Sequence, residues 1–294
     1  MNMLDYNYPL FRPPAEAANI ILQVTLGCSH NNCTFCSMYK SKEYQIRKLE
    51  DIYKDIDLLK IIYPNTIKIF LADGDALSLE TEYLLEILKY IKNSFPKIRR
   101  ISTYASTQNI LSKNIDELKV LQQNNLNLFY YGIETGDDEL LGKINKGVGS
   151  DDIIKSLNMS VAANIKVSAT VILGLGGSEY SKQHIVNTAN IINNTNINYL
   201  STLQLWIEDD VKDKFYKQFD NFIHLNDVEI LEEQKLLLEN IKPLNKIIFR
   251  SNHASNALHL AGNLPKDNDK LILEINNALA IGENAFIPNI MRGF

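Results

Sequence analysis

The chain has 294 residues, of which 45% are hydrophobic and 22% charged, with a formal net charge of −5. That is enough apolar material for one large domain or a domain with an appendage, and the negative balance argues against nucleic acid, whose phosphate backbone is held by clustered Lys and Arg. The first residues lack a basic segment followed by an apolar core and no long apolar run occurs, so a cytoplasmic, reducing location with no membrane partner is expected.

Short runs rich in Ile, Val, Leu and Tyr recur at 19–26, 67–72, 99–105, 127–133, 167–173 and 198–206. Between them lie segments of helical period, such as 49–62 and 80–91, whose apolar residues return every three or four positions. Six strand–helix units in succession predict a parallel sheet, either doubly wound and open or closed into a whole or partial (β/α) barrel. Both place ligands beyond the carboxyl ends of the strands. After about residue 210 the alternation weakens into helical material, a short strand-like run at 246–250, a polar loop and a last helix near 267–282. The expected organisation is an N-terminal extension (1–18), a core (19–210) and a C-terminal extension (211–294).

The chain's three cysteines, Cys28, Cys33 and Cys36, fall in one nine-residue stretch directly after the first predicted strand. An odd count and no secretory leader argue against a disulfide framework. A [4Fe–4S] cube is ordinarily held by four cysteines, so three point to a cluster with one iron open to a small ligand. The alternative is structural zinc, with His30 completing a Cys₃His set, although zinc modules usually divide their ligands between two separated knuckles.

With Phe35 directly before Cys36 and the train of βα units behind it, this loop resembles the radical S-adenosylmethionine superfamily over about residues 19–206. The similarity is to the branch containing anaerobic coproporphyrinogen oxidase and the methylthiotransferases. Four residues separate Cys28 from Cys33, where the superfamily usually has three. The resemblance implies an α/β fold: a partial (β/α)6 TIM-like barrel with a small C-terminal helical and loop extension over its mouth. It implies a [4Fe–4S] cluster on the three cysteines and S-adenosylmethionine chelated at the open iron. One electron would then cleave the sulfonium C–S bond, and the resulting 5′-deoxyadenosyl radical would take hydrogen from a small-molecule substrate. The implied partner is an electron donor such as flavodoxin or ferredoxin. A non-catalytic zinc-binding or iron–sulfur electron-transfer protein is the alternative class.

The resemblance also implies cofactor contacts. Asp73-Gly74-Asp75, after the second strand, is similar to the Gly-Gly-Glu motif that receives the methionine amino group, with Asp73 replacing the first glycine. Glu134 ends the fourth strand in a Gly-Ile-Glu sequence, a carboxylate suited to ribose hydroxyls or the amino group, and Lys146 follows as a candidate for the cofactor carboxylate. Ser168 and Gly174, on the fifth strand, are the expected adenine side, and Phe35 joins the cofactor set. On the substrate side, 103–108 and 204–208, including Trp206, are candidates, whereas His184 and His224 read as surface or satisfied histidines. The polar cluster from Phe249 to His259 reads as a substrate loop, with Arg250 for an anionic group and His253 for hydrogen bonding or proton transfer. The absence of further cysteines in the sequence argues against a second all-cysteine cluster and against methylthio or RNA-methylating chemistry that needs a catalytic cysteine.

Overall fold

In a computed structural model describing residues 4–293, the apolar runs become strands; those at 68–72 and 100–105 are buried almost throughout, as in parallel sheets, whereas those at 126–134, 166–173 and 199–204 alternate buried with part-exposed residues. Residues 1–3 of the expected N-terminal extension and residue 294 of the C-terminal one lie outside the described residues. The chain divides into two compact units.

The first unit holds residues up to Asn31, Met38–Tyr131 and Met159–Val167. Its elements are β1 (Ile20–Gln23), β2 (Thr25–Leu26), β3 (Gln45–Ile46), α1 (Leu49–Ile62), β4 (Lys68–Ala72), α2 (Thr81–Ser94), β5 (Arg100–Ala105), α3 (Thr107–Leu111), α4 (Ile115–Gln123) and most of β6 (Leu126–Glu134). β1, β4, β5 and β6 pair in parallel, with Ile20 opposite Ile69, Ile69 opposite Ile101 and Ser102 opposite Leu128. Helix α1 buries Ile52, Ile56 and Leu59, and α2 buries Leu84, Ile87, Leu88 and Ile91. These are three- and four-residue spacings, and each such side chain contributes about 1.5–3 kcal/mol on burial. Helix α4 opens with a capping box between Asn114 and Glu117. The N-terminal segment is pinned by Glu16, fully buried, whose Oε1 accepts from Arg100 Nη2 (2.8 Å), Ser102 Oγ (3.0 Å) and the Tyr130 hydroxyl (2.6 Å).

The second unit holds Asn32–Ser37, Gly132–Asn158 and the residues from Ser168 onward. It contains α5 (Asp138–Lys143), most of α6 (Ser150–Ala162) and of β7 (Lys166–Leu173), α7 (Gly177–Asn193), β8 (Tyr199–Gln204), α8 (Asp209–Tyr216), α9 (Asp227–Asn240), β9 (Ile247–Ser251), β10 (Leu260–Leu264) and α10 (Asn268–Ile281). β8 runs parallel to β7 and to β9, and β10 turns back antiparallel on β9. α9 packs against α7 and α10.

In the first unit the strands follow the order β1-β4-β5-β6 and in the second β7-β8-β9-β10, mostly parallel and with helices following the strands. The expected α/β architecture is present. Two details differ from the sequence reading. The run at 19–26 is broken after Gln23, because Thr25 and Leu26 leave the main sheet to pair with Gln45 and Ile46. Residues 260–264, expected inside a polar loop, form β10, whose Leu260, Gly262 and Leu264 are buried while Ala261 is exposed. Leu-Ala-Gly-Asn-Leu has no β-branched residue and little strand propensity, so β9, not local preference, makes it a strand. Among the described residues no helix is long and apolar enough to cross a membrane.

Candidate active site

In the first unit, the loops after β1 and β4 leave the carboxyl ends of adjacent parallel strands and bond to each other. Asp73 is fully buried; its Oδ2 accepts from the backbone N–H of Gly27 (3.1 Å) and from Lys42 Nζ (2.8 Å). Its Oδ1, also buried, has no hydrogen-bond partner among the described residues. Asp75, 2% exposed, accepts from the Ser29 N–H through Oδ2 (2.9 Å) and from the Asn109 amide through Oδ1. Burial raises the Asp75 pKa, opposed by those two donors. Gly27 and Ser29 flank Cys28.

Gly74 stands between the two aspartates, and a Cβ there would meet the Tyr39 ring at 2.3 Å. The ring is buried and packs edge-on against Phe11, centroids 5.5 Å apart. The absent Cβ therefore makes room for an aromatic of this chain. Gly27 has φ +68°, a left-handed conformation favourable to glycine. Of the substrate-side candidates, Thr103 bonds the Leu71 carbonyl (3.1 Å) and Thr107 bonds the Tyr131 hydroxyl (2.5 Å).

Cys33, Phe35 and Cys36 belong to the second unit and are each half-buried. Between them Thr34, buried, donates its N–H to the Ile144 carbonyl at the end of α5 (2.9 Å), while the Asn32 carbonyl accepts from Asn145 Nδ2 (3.1 Å) and Lys214 Nζ (3.0 Å). Glu134, at the end of β6, has φ +60°, an uncommon conformation for a residue with a side chain. Its carboxylate pairs with Lys146 Nζ at 3.1 Å, both side chains being 13% exposed. A Cβ on Gly132 would stand 1.8 Å from Glu134 Oε1, so the Gly-Ile-Glu spacing lets the carboxylate fold back over the strand.

The turn after Glu134 is held by α7. Buried His184 bonds the Thr135 hydroxyl through Nδ1 (2.7 Å) and the Ile172 carbonyl through Nε2 (3.0 Å), and burial lowers its pKa to about 4. It is a satisfied core histidine. Gly174, with φ +77°, follows β7 and donates its N–H to Glu233 Oε2 at 2.5 Å, while Glu233 Oε1 accepts from Ser181 Oγ at 2.8 Å. Burial raises the Glu233 pKa to about 7. The sequence carries no signal for Glu233, because one glutamate on an amphipathic helix is ordinary until the helix is docked. Ser168, half-buried on β7, lies opposite Tyr199 of β8.

The polar loop behind β9 is organised by Asn256, 3% exposed. Its Nδ2 donates to the Thr202 carbonyl and to Ser251 Oγ, both at 2.9 Å, and its Oδ1 accepts from the Gln204 N–H at 2.8 Å. His253 Nδ1 accepts from the Ser255 N–H (3.2 Å), so the proton of the neutral ring sits on Nε2, and burial lowers its pKa. Arg250 is exposed and bonds the carbonyls of Phe249 (2.6 Å) and Gly262 (3.4 Å). Trp206 is 51% exposed, so it is not a core tryptophan.

Among the described residues no three or more His, Cys, Asp or Glu side chains form a ready metal cage. The fit of a cluster rests on the donor set, three thiols within nine residues of sequence, each half-buried: in the first unit Cys28 stands between backbone groups tied at Gly27 and Ser29, and in the second Cys33 and Cys36 lie beside backbone tied at Asn32 and Thr34. Soft thiolates suit iron–sulfur ligation.

Known proteins resemble the chain in sequence and in fold. A protein of Methanocaldococcus jannaschii named as a methylthiotransferase is 23% identical over 184 residues, covering 58% of this chain and 40% of the relative. The heme chaperone HemW of Bacillus subtilis is 26% identical over 128 residues, covering 43% of this chain and 34% of its own. The chain thus spans well under half the length of these curated relatives. Coproporphyrinogen III oxidase (HemN) from Escherichia coli shares the fold with a TM-score of 0.57 at 16% identity, over 75% of this chain and 52% of that one. Methylornithine synthase (PylB) does so with a TM-score of 0.52 at 14% identity, over 76% and 63%. The family model described as the radical SAM superfamily matches residues 22–192, which include all three cysteines, Asp73 to Asp75, Glu134 and Gly174, and the chain belongs to that superfamily.

Proposed function

We propose that Cys28, Cys33 and Cys36 hold a [4Fe–4S] cluster and that the chain binds S-adenosylmethionine at its open iron. When bound, that pair supplies one-electron cleavage of the sulfonium C–S bond, giving methionine and a 5′-deoxyadenosyl radical that takes hydrogen from substrate. The observation that carries this reading is the cysteine loop, three thiols within nine residues inside the segment matched to the family. In the proposal Glu134 and Lys146 offer a carboxylate and an ammonium to the polar groups of the cofactor, and Phe35, Ser168 and Gly174 provide contact surface. Asp73, Gly74 and Asp75 act at the cofactor end of β4. The segment 1–18 serves as an N-terminal extension, 19–210 as the cluster-bearing barrel, and 211–294 as an extension bringing substrate groups. There Arg250 would bind an anionic group, and His253 would donate or accept through Nε2. A small-molecule substrate and a one-electron donor such as flavodoxin or ferredoxin complete the proposal.

Anaerobic reconstitution tests it: about four iron and four sulfide per chain are expected, with 5′-deoxyadenosine released upon dithionite reduction in the presence of S-adenosylmethionine. Cys33→Ala is expected to lose both. Stoichiometric zinc with no nucleoside product overturns the proposal in favour of a zinc-binding protein.

A further inference from the structure

We infer that Asp73 and Asp75 form a clamp on the cysteine loop, positioning Cys28 by holding the backbone on both sides of it; the inference rests on the radical SAM reading only for what that thiol binds. Gly27 N–H donates to Asp73 Oδ2 at 3.1 Å and Ser29 N–H to Asp75 Oδ2 at 2.9 Å. The residues before and after Cys28 are thus fixed by carboxylates two positions apart on one turn.

Each carboxylate is itself anchored. Lys42 Nζ pairs with Asp73 at 2.8 Å and also donates to the Asn7 carbonyl at 2.7 Å; the Asn109 amide donates to Asp75. Lys42 and Asp73 side chains are 4% and 0% exposed, and a buried ion pair broken on one side is strongly destabilising. The Tyr39 ring occupies the space over Gly74, which prevents the turn from shifting that way. A carboxylate whose oxygens are taken up by backbone N–H and side-chain donors of this chain holds its own loop, and Asp75 has both oxygens so engaged.

The experiment is residue-resolved alkylation of the full chain without metal, with iodoacetamide at fixed pH and peptide mapping of the three cysteines. Asp75→Ala is expected to speed Cys28 alkylation about five- to tenfold, the opening that follows from loss of one or two hydrogen bonds, while Cys33 and Cys36 stay within about twofold. Asp75→Asn is expected to restore the wild-type rate, because its amide oxygen accepts from Ser29 and a flipped Asn109 accepts from its NH₂. Asn is as uncharged as Ala, so the pair separates loss of the acceptor from loss of charge. After reconstitution, iron per chain is expected to fall in the Ala variant and recover in the Asn variant.

An unchanged Cys28 rate in Asp75→Ala, an equal rise at all three cysteines, or an Asn variant as reactive as the Ala variant overturns the clamp. Should Asp75→Ala fail to fold, Asn109→Ala carries the test with a rise of about fivefold at Cys28 against less than about twofold at Cys33 and Cys36, and no such selective rise overturns the clamp. Alkylation needs no iron, so the clamp is decided even if the chain takes up no cluster. A chain that cleaves S-adenosylmethionine with unaltered Cys28 reactivity in these variants keeps the proposed function and loses the clamp.

Discussion

The carboxylate of Glu134 lies over the α carbon of Gly132, so close that a methyl group on Gly132 would stand 1.8 Å from Oε1. The obstructed atom is the far end of a flexible side chain, so Gly132→Ala is expected to move Glu134 off Lys146 rather than unfold the protein. Melting should fall by only a few degrees, the scale of about 1 kcal/mol. S-adenosylmethionine affinity of the reconstituted protein should weaken about tenfold, as much as in Glu134→Ala. Equilibrium dialysis of the two variants checks this, and a Gly132→Ala protein binding like wild type contradicts it.

Glu233 sets a pH dependence of stability. Its pKa in the fold is about 7 against about 4.3 in an unfolded chain. Between those values the native state keeps a proton that the unfolded state has released, so stability falls as pH rises through the window. Glu233→Gln keeps an uncharged acceptor for Gly174 N–H and removes the titration. Relative to wild type, the variant should gain stability from pH 5 to pH 8 by up to about 3 kcal/mol, read from urea unfolding at the two pH values. Equal pH dependence in both proteins would rule out a raised Glu233.

His184 acts in the opposite direction. Its pKa of about 4 lies below the unfolded value of about 6.5, so the unfolded state binds the extra proton and stability is lost as pH falls from 6.5 to 4. His184→Leu should flatten that acid limb. At pH 7 it should cost about 1–3 kcal/mol, because the Thr135 hydroxyl and Ile172 carbonyl lose their partner. In Glu233→Gln the His184 slope should stand alone and look steeper between pH 4.5 and 6.5 than in wild type. Melting curves across that range test both variants.

Asn256 bridges the ends of β8 and β9 through the Thr202 carbonyl, the Gln204 N–H and Ser251 Oγ. Asn256→Ala leaves these buried groups unpaired and should cost about 2–4 kcal/mol. Hydrogen exchange of the amides at 252–259 should accelerate well beyond that of β7. Uniform acceleration throughout the unit would mean that Asn256 supports the whole fold rather than its loop.

Much of the architecture is legible in the sequence alone. Six apolar runs separated by helical periodicity mark a parallel sheet, because strands buried on both faces must be apolar nearly throughout. The cysteine loop is legible as a cluster because thiols are rare here and three of them fall within nine residues, a local property of the chain. The Gly-Ile-Glu ending was legible as a motif, but the fold-back of Glu134 over Gly132 that gives the spacing its meaning was not.

What periodicity and spacing could not carry is pairing between distant positions. Leu260–Leu264 has no strand propensity of its own and becomes β10 because β9 offers a ladder of unpaired N–H and C=O groups. Asp73 and Asp75 look, as a sequence, like carboxylates free for a ligand; folding brings Lys42, Asn109 and the Gly27 and Ser29 amides to them across tens of residues. Glu233 is one glutamate among many on amphipathic helices until docking of α9 removes it from water and sets it on Gly174. The kind of chemistry follows from residue types at short spacing, which the chain carries locally. Which carboxylate is buried, paired or strained depends on desolvation and partners, and those exist only once the chain has closed on itself.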